Sequence, residues 1–307
     1  MKNITDFLYE SLNDWQKRVL QRAIDDDNMN GDSELVKDAV KHILYAHSRS
    51  DIVSVLDQKG ILKILRDKLS TLHYALADIF NIDENGITQT GLVSSTDFLE
   101  KYNNSKLSVL LRNIKDGDKL VREIFNLQIP GRRMSGPGEV LLTLLLEDAA
   151  KQITSANVDV PIIGKEGIEV KFANVGTDKT DFRLFDSKNE ILNYIRSASL
   201  DEIKNLYDPK KKGSITKIFN DCINNENNPY YKEFLLACDM IANCINLYKK
   251  SGLVIFKGKE NGNDYEIIII KDNISGTEFK ELLKTKNIYF KKFSYSKDIP
   301  DITFIAK

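Results

Sequence analysis

The sequence predicts an α/β protein of the α+β kind, with an all-helical first part over residues 1–126 and a sheet-containing second part over 127–307. Three observations predict it. Apolar residues recur at helical spacing as far as Asn126, a stretch rich in proline and glycine then interrupts them, and strand-like runs alternate with helical ones beyond it. At roughly 150 residues per domain, 307 residues make about two domains, enough to bury cores without disulfides or metals.

In the first part the helical period runs through Phe7, Leu8, Leu12, Trp15, Val19 and Leu20, and again through Leu35, Val36, Ala39, Val40 and Ile43. Turn chemistry at residues 25–32, 81–91 and 103–105 divides it into five or so short helices. Ser94 with Asp97, in SSTDFLEKY, marks a helix start with an acidic residue at the positive end of the dipole. Residues 127–138, LQIPGRRMSGPG, read as a loop, and Pro137 suits the first turn of the helix that follows. That helix, EVLLTLLLEDAAKQI, is apolar on nearly every side and so is expected to be buried.

Two β-rich runs, 158–163 and 167–175, are expected to pair as an antiparallel hairpin across Gly164, Lys165 and Glu166. Helical pieces over 187–224 and a longer helix over 229–250 come next, with Gly252 read as its C-cap signal. LVIFKG and DYEIIIIK read as strands about a turn at 261–263, before a short helix near 277–283 and closing strands at 288–295 and 302–306.

Composition excludes several classes. The 42% apolar and 29% charged fractions are globular, and no apolar run approaches the roughly 18 residues of a spanning helix. The acidic residues of MKNITDFLYESLNDW do not suit a secretory signal, so a cytoplasmic setting, in a bacterial host cell or a virion, is expected, with no membrane partner. Lys, Asn, Ile and Asp crowd the chain as AT-rich coding would, in keeping with a bacterial or phage source. A formal charge of −1 means that a polyanion would be held by a local basic patch. Cys222, Cys238 and Cys244 lack zinc-ligand spacing and read as buried small hydrophobes of one helical region. His42 and His47, five apart, do not share a helix face, and His73 stands alone. No Walker loop, G-x-S-x-G or dinucleotide fingerprint occurs.

The chemistry is expected at VDVPIIGKEGIEVK. If Ile163 pairs with Gly167, Asp159 faces Lys171, Pro161 faces Glu169, and the three polar side chains share one face. Converging carboxylates repel unless a hard divalent cation takes their oxygens, and Lys171 beside it could orient a water or stabilise charge on a phosphate. Glu139, opening the buried helix, could add a third carboxylate. This set suits phosphodiester hydrolysis and does not suit acyl transfer.

At Asp159, nine intervening residues and then Glu169-Val170-Lys171, with Glu139 upstream, the sequence resembles the PD-(D/E)XK nuclease superfamily. The resemblance implies a restriction-endonuclease-like mixed sheet in the second part. It also implies an Mg²⁺-dependent endonuclease acting on DNA more than RNA, with Mn²⁺ able to substitute. Asp159, Glu169 and Glu139 would then be metal ligands, and Lys171 would position the attacking water. Val158 stands where the motif has proline, and the short span from Glu139 to Asp159 leaves little room for an extra strand. Arg132, Arg133, Lys179 and Arg183 flank these residues and are candidate phosphate contacts. Lys210, Lys211 and Lys212 read more simply as a solvated loop. The helical part could recognise DNA, a protein partner or a second copy of the chain. The alternative reading is a phage binding or structural protein that keeps a nuclease fold without the chemistry; in a further one, an unrelated α/β protein, Asp159 and Glu169 would face opposite sides of the sheet.

Overall fold

The computed structural model describes residues 49–83, 86–127, 136–151, 158–175, 181–186, 189–198, 201–206, 214–259, 264–296 and 299–307. The chain divides into two compact units, one containing residues 49–98 and 110–155, the other residues 99–109 and 156–307. This partition differs from a single cut after residue 126. The helix opened by Pro137 groups with the first unit, because its buried face packs on helices there, and residues 99–109 group with the second, because they supply a strand to its sheet.

In the first unit, helices α1 (Arg49–Gln58), α2 (Leu62–Leu65) and α3 (Leu69–Ile79) are followed by two short strands, β1 (Ile82–Asp83) and β2 (Gly86–Ile87). These pair antiparallel, so the all-helical expectation is corrected: the turn-rich stretch after α3 forms a small ladder. Helix α4 (Ser95–Lys101) starts where expected, with the Ser94 Oγ accepting the Asp97 amide at 3.2 Å. Strand β3 (Ser105–Lys106), which belongs to the second unit, and helix α5 (Leu107–Leu111) follow, then α6 (Gly117–Phe125) and α7 (Pro137–Leu145) of the first. Pro137 occupies the first turn of α7, and the helix is buried from Val140 to Leu145. It ends at Leu145, well short of the helix expected from Glu139 to Ile153. Leu146 turns extended and bridges Val93, so backbone pairing replaces the next helical turn.

The second unit is built on a six-stranded mixed sheet, ordered β3-β6-β5-β4-β8-β7. Its strands beyond β3 are β4 (Ile168–Val175), β5 (Gly252–Lys259), β6 (Glu266–Ile270), β7 (Ile288–Ser296) and β8 (Ile299–Ala306). Strands β4 and β5 run parallel along their whole length, which requires a long crossover. Helices α8 (Asn189–Ser197), α9 (Asp201–Asn205), α10 (Ser214–Cys222) and α11 (Tyr231–Tyr248) lie on that connection. Helix α12 (Gly276–Thr285) follows β6 and packs on α11, with Gly276 so close that a Cβ there would meet Asp239 Oδ1 at 1.9 Å. Phe234, Cys238, Ile241 and Ile245 of α11 join Leu253 and Ile255 of β5 in one core, to which Phe219, Phe290, Phe293 and Phe304 add a stack of rings.

Two local expectations are revised. The left-handed residue after α11 is Lys250, at φ +56°, while Gly252 is already the first residue of β5, pressed against Leu99. The cysteines are buried as expected but lie on two helices, Cys222 on α10 and Cys238 with Cys244 on α11. No helix of the described residues is long and apolar enough to cross a membrane. His42, His47 and Lys210 to Lys212 lie outside the described residues.

Candidate active site

Strand β4 is central, and alternation puts Glu169 and Lys171 on one face of it. The expected first strand of the hairpin is reduced to a single bridge, Val160 with Ile168, closed by two hydrogen bonds of 2.9 Å. The expected register is therefore corrected by two residues, so that Asp159 falls opposite Glu169 and not Lys171. An even shift preserves sidedness, and the polar groups still share a face. The ladder stops because a side chain displaces it: Asp159 Oδ2 accepts the Val170 amide at 2.8 Å, the donor that would otherwise extend the pairing.

Gly167 makes this approach feasible. Its φ is +96°, and a Cβ would lie 2.7 Å from Val158 Cγ2 and 2.8 Å from the Val160 carbonyl oxygen. A larger residue would push the Asp159 segment off β4. Gly164, at φ +74°, turns the chain between them.

The result is a compact charged cluster. Lys171 Nζ lies 3.5 Å from Asp159 Oδ2 and 4.0 Å from Glu169 Oε2. Glu169 is 1% exposed, so its charge depends on neighbours and not on water. Two further residues complete the cluster. Lys171 donates to the Tyr248 hydroxyl at 3.1 Å, and that hydroxyl donates to Asp186 Oδ2 at 3.0 Å. Burial above all, then the charges of Glu169, Asp186 and Asp159, hold the Tyr248 hydroxyl far above its ordinary pKa, so it stays protonated.

Sequence reading missed Tyr248 and Asp186. Tyr248 carried only the signal of a tyrosine at the end of an apolar helix, and Asp186 none. Its position follows from the sheet: β4 and β8 pair only at Val175 and Ala306, and Phe182 bridges Phe304 instead, leading the chain on to Asp186.

Of the other expected site residues, two are described. Glu139 belongs to the first unit, in the first turn of α7, where its carboxylate lies back towards Gly136 and the helix N-terminus favours its charge. Arg183 lies in the second unit, 3.0 Å from Asp301. Arg132, Arg133 and Lys179 lie outside the described residues.

Among the described residues no group of three or more His, Cys, Asp or Glu side chains is set to hold a metal ion. Among the described residues the charge balance is nonetheless suited to a cation: Asp159, Glu169 and Asp186 gather three carboxylates around the Tyr248 hydroxyl, beside the Lys171 ammonium. Asp159 and Glu169 are hard oxygen donors of the kind magnesium takes, and magnesium usually needs only one or two carboxylates, keeping water in its other positions. No family model, curated protein or solved structure matches the chain.

Proposed function

We propose that the protein is a metal-dependent nuclease that hydrolyses DNA phosphodiester bonds internally, as members of the PD-(D/E)XK superfamily do. The observation that carries this reading is the convergence of Asp159 and Glu169 on Lys171, with Glu169 buried. Asp159 and Glu169 would hold the Mg²⁺ ion. When bound, it polarises the phosphoryl group and lowers the pKa of a water. Lys171 carries a positive charge where negative charge grows on the phosphate, and it can hold a water by hydrogen bond. Tyr248 fixes the ammonium through its hydroxyl, and Asp186 fixes the hydroxyl in turn.

The alternative is a nuclease-fold binding or structural protein without catalysis. It is favoured by the absence, among the described residues, of a three-ligand arrangement, and by Lys171 already bridging both carboxylates. Cleavage assays separate the two. Supercoiled, linear duplex and single-stranded DNA, and an RNA, are incubated with Mg²⁺, Mn²⁺ or EDTA, using wild type beside Asp159→Ala and Lys171→Ala. Metal-dependent nicking by wild type, abolished in both variants, is the expected result; intact DNA in every lane, with RNA also intact, supports the scaffold.

A further inference from the structure

Strand β7 ends the sheet, and an uncovered edge strand invites pairing with another chain. Here the edge is closed by side chains of α10. Asn220 exchanges two hydrogen bonds with the Phe290 peptide, at 2.8 and 2.9 Å, and Thr216 Oγ1 accepts the Phe293 amide at 2.9 Å. These peptide groups are spoken for, so a peptide cannot add there as a further strand.

Between α10 and β7 there remains a cavity of about 670 Å³. A β-bulge shapes its wall. Phe290 pairs with Phe304 and Lys292 with Thr303, leaving Lys291 without an opposite residue. The extra residue lets Phe290 and Phe293, three apart, both enter the core, and it leaves two consecutive lysines exposed together. Lys217 lines the cavity from α10, and no carboxylate lines it among the described residues. Asp301, on β8, is held by both Lys292 and Arg183. Lys217, Lys291 and Lys292 thus bring three ammonium groups to a wall that, among the described residues, carries no carboxylate.

We propose that this groove binds the phosphate backbone of a nucleic acid, as a contact outside the Asp159, Glu169 and Lys171 cluster. The choice of nucleic acid as the polyanion rests on the nuclease reading. Strand β8 separates β7 from β4, so the groove lies at least about 10 Å from the cluster, beyond the reacting phosphate itself. Lysines there add affinity and orientation without reading sequence.

The test uses the full chain in EDTA, so that binding is read without cleavage. Fluorescence anisotropy follows a labelled duplex and a single strand of equal length between about 50 and about 200 mM salt. In Lys217→Ala/Lys291→Ala/Lys292→Ala, Kd is expected to rise on the order of tenfold or more, with the salt slope reduced by about two to three. The matching triple arginine variant should bind as wild type does, which separates lost charge from a damaged fold. Unchanged Kd and slope in the alanine variant would overturn the groove, whether or not wild type cleaves DNA. Wild type that binds neither nucleic acid overturns it, as does equally tight, groove-dependent binding of polyglutamate, which would point to an acidic polypeptide. Groove-dependent DNA binding by a protein that never cleaves would uphold the groove and sink only the nuclease reading.

Discussion

Lys59 shows how one buried charge sets a pH dependence. It is 3% exposed, and its ammonium donates to the Thr143 and Leu146 carbonyls at the end of α7. Burial dominates over the nearby Asp148 and Glu147 and lowers its pKa to about 8. The unfolded chain, where lysine titrates near 10.4, therefore binds more protons between those values, and stability contributed by this group rises with pH across that window. Its destabilising effect is fully present below about pH 8 and relieved above about pH 10.5, a difference on the order of 3 kcal/mol. Urea unfolding should show wild type gaining on Lys59→Met between about pH 7 and about pH 10.5; parallel curves would contradict it. At the candidate site, Tyr248→Phe keeps the buried ring but removes the link between Lys171 and Asp186. Under the nuclease reading, cleavage should fall by about tenfold while thermal stability changes by about 1 kcal/mol. A variant as active as wild type would show that Lys171 needs no such support.

Among the elements, α12 and β7 show where backbone groups find partners. Helix α12 opens with a reciprocal capping box: Ser275 accepts the Glu278 amide, and Glu278 accepts the Ser275 amide. Ser275→Ala should cost about 1 kcal/mol by denaturant unfolding, with the sheet unaffected. Strand β7 depends on α10 instead. Removing the Asn220 amide leaves the Phe290 peptide groups without partners at a half-buried edge. Asn220→Ala should therefore lower stability by about 1–3 kcal/mol and raise self-association in light scattering, since the strand edge is then open. Unchanged stability and scattering would mean that water replaces the amide without loss.

Across the molecule, the three thiols report on the integrity of the second unit's core. Cys238 and Cys244 are fully buried on α11, and burial raises Cys244 to about 12; Cys222, at the end of α10, is raised to about 11. A thiolate is the reactive form, so a disulfide reagent at neutral pH should label native protein slowly and unfolded protein at once. Rapid labelling of one thiol in the native state would mark local opening of α10 or α11.

Much of the fold was legible in the sequence because its causes are local. Strand-like apolar runs marked β4 to β8, Ser94 and Pro137 marked helix starts, and the apolar run after Glu139 marked a buried helix. The same locality explains what was not legible. Where α7 stops depends on Val93, more than fifty residues upstream, whose backbone pairs with Leu146. The Asp159 register depends on a carboxylate capturing the Val170 amide, a contact that periodicity does not encode.

The sequence by itself determined which side chains could meet across β4, since an alternation of two fixes sidedness whatever the exact pairing. It determined the α/β class because runs of helical spacing and strand-like runs can each be recognised locally. Only the tertiary structure decided who else was present: Tyr248 reaches Lys171 from the end of the crossover helix, and Asp186 arrives because β4 and β8 part and the chain at Phe182 fills the gap. It also gave Glu139 to the first unit and tied Arg183 to Asp301. Those placements depend on contacts between residues far apart in the chain, and a local pattern carries no information about them.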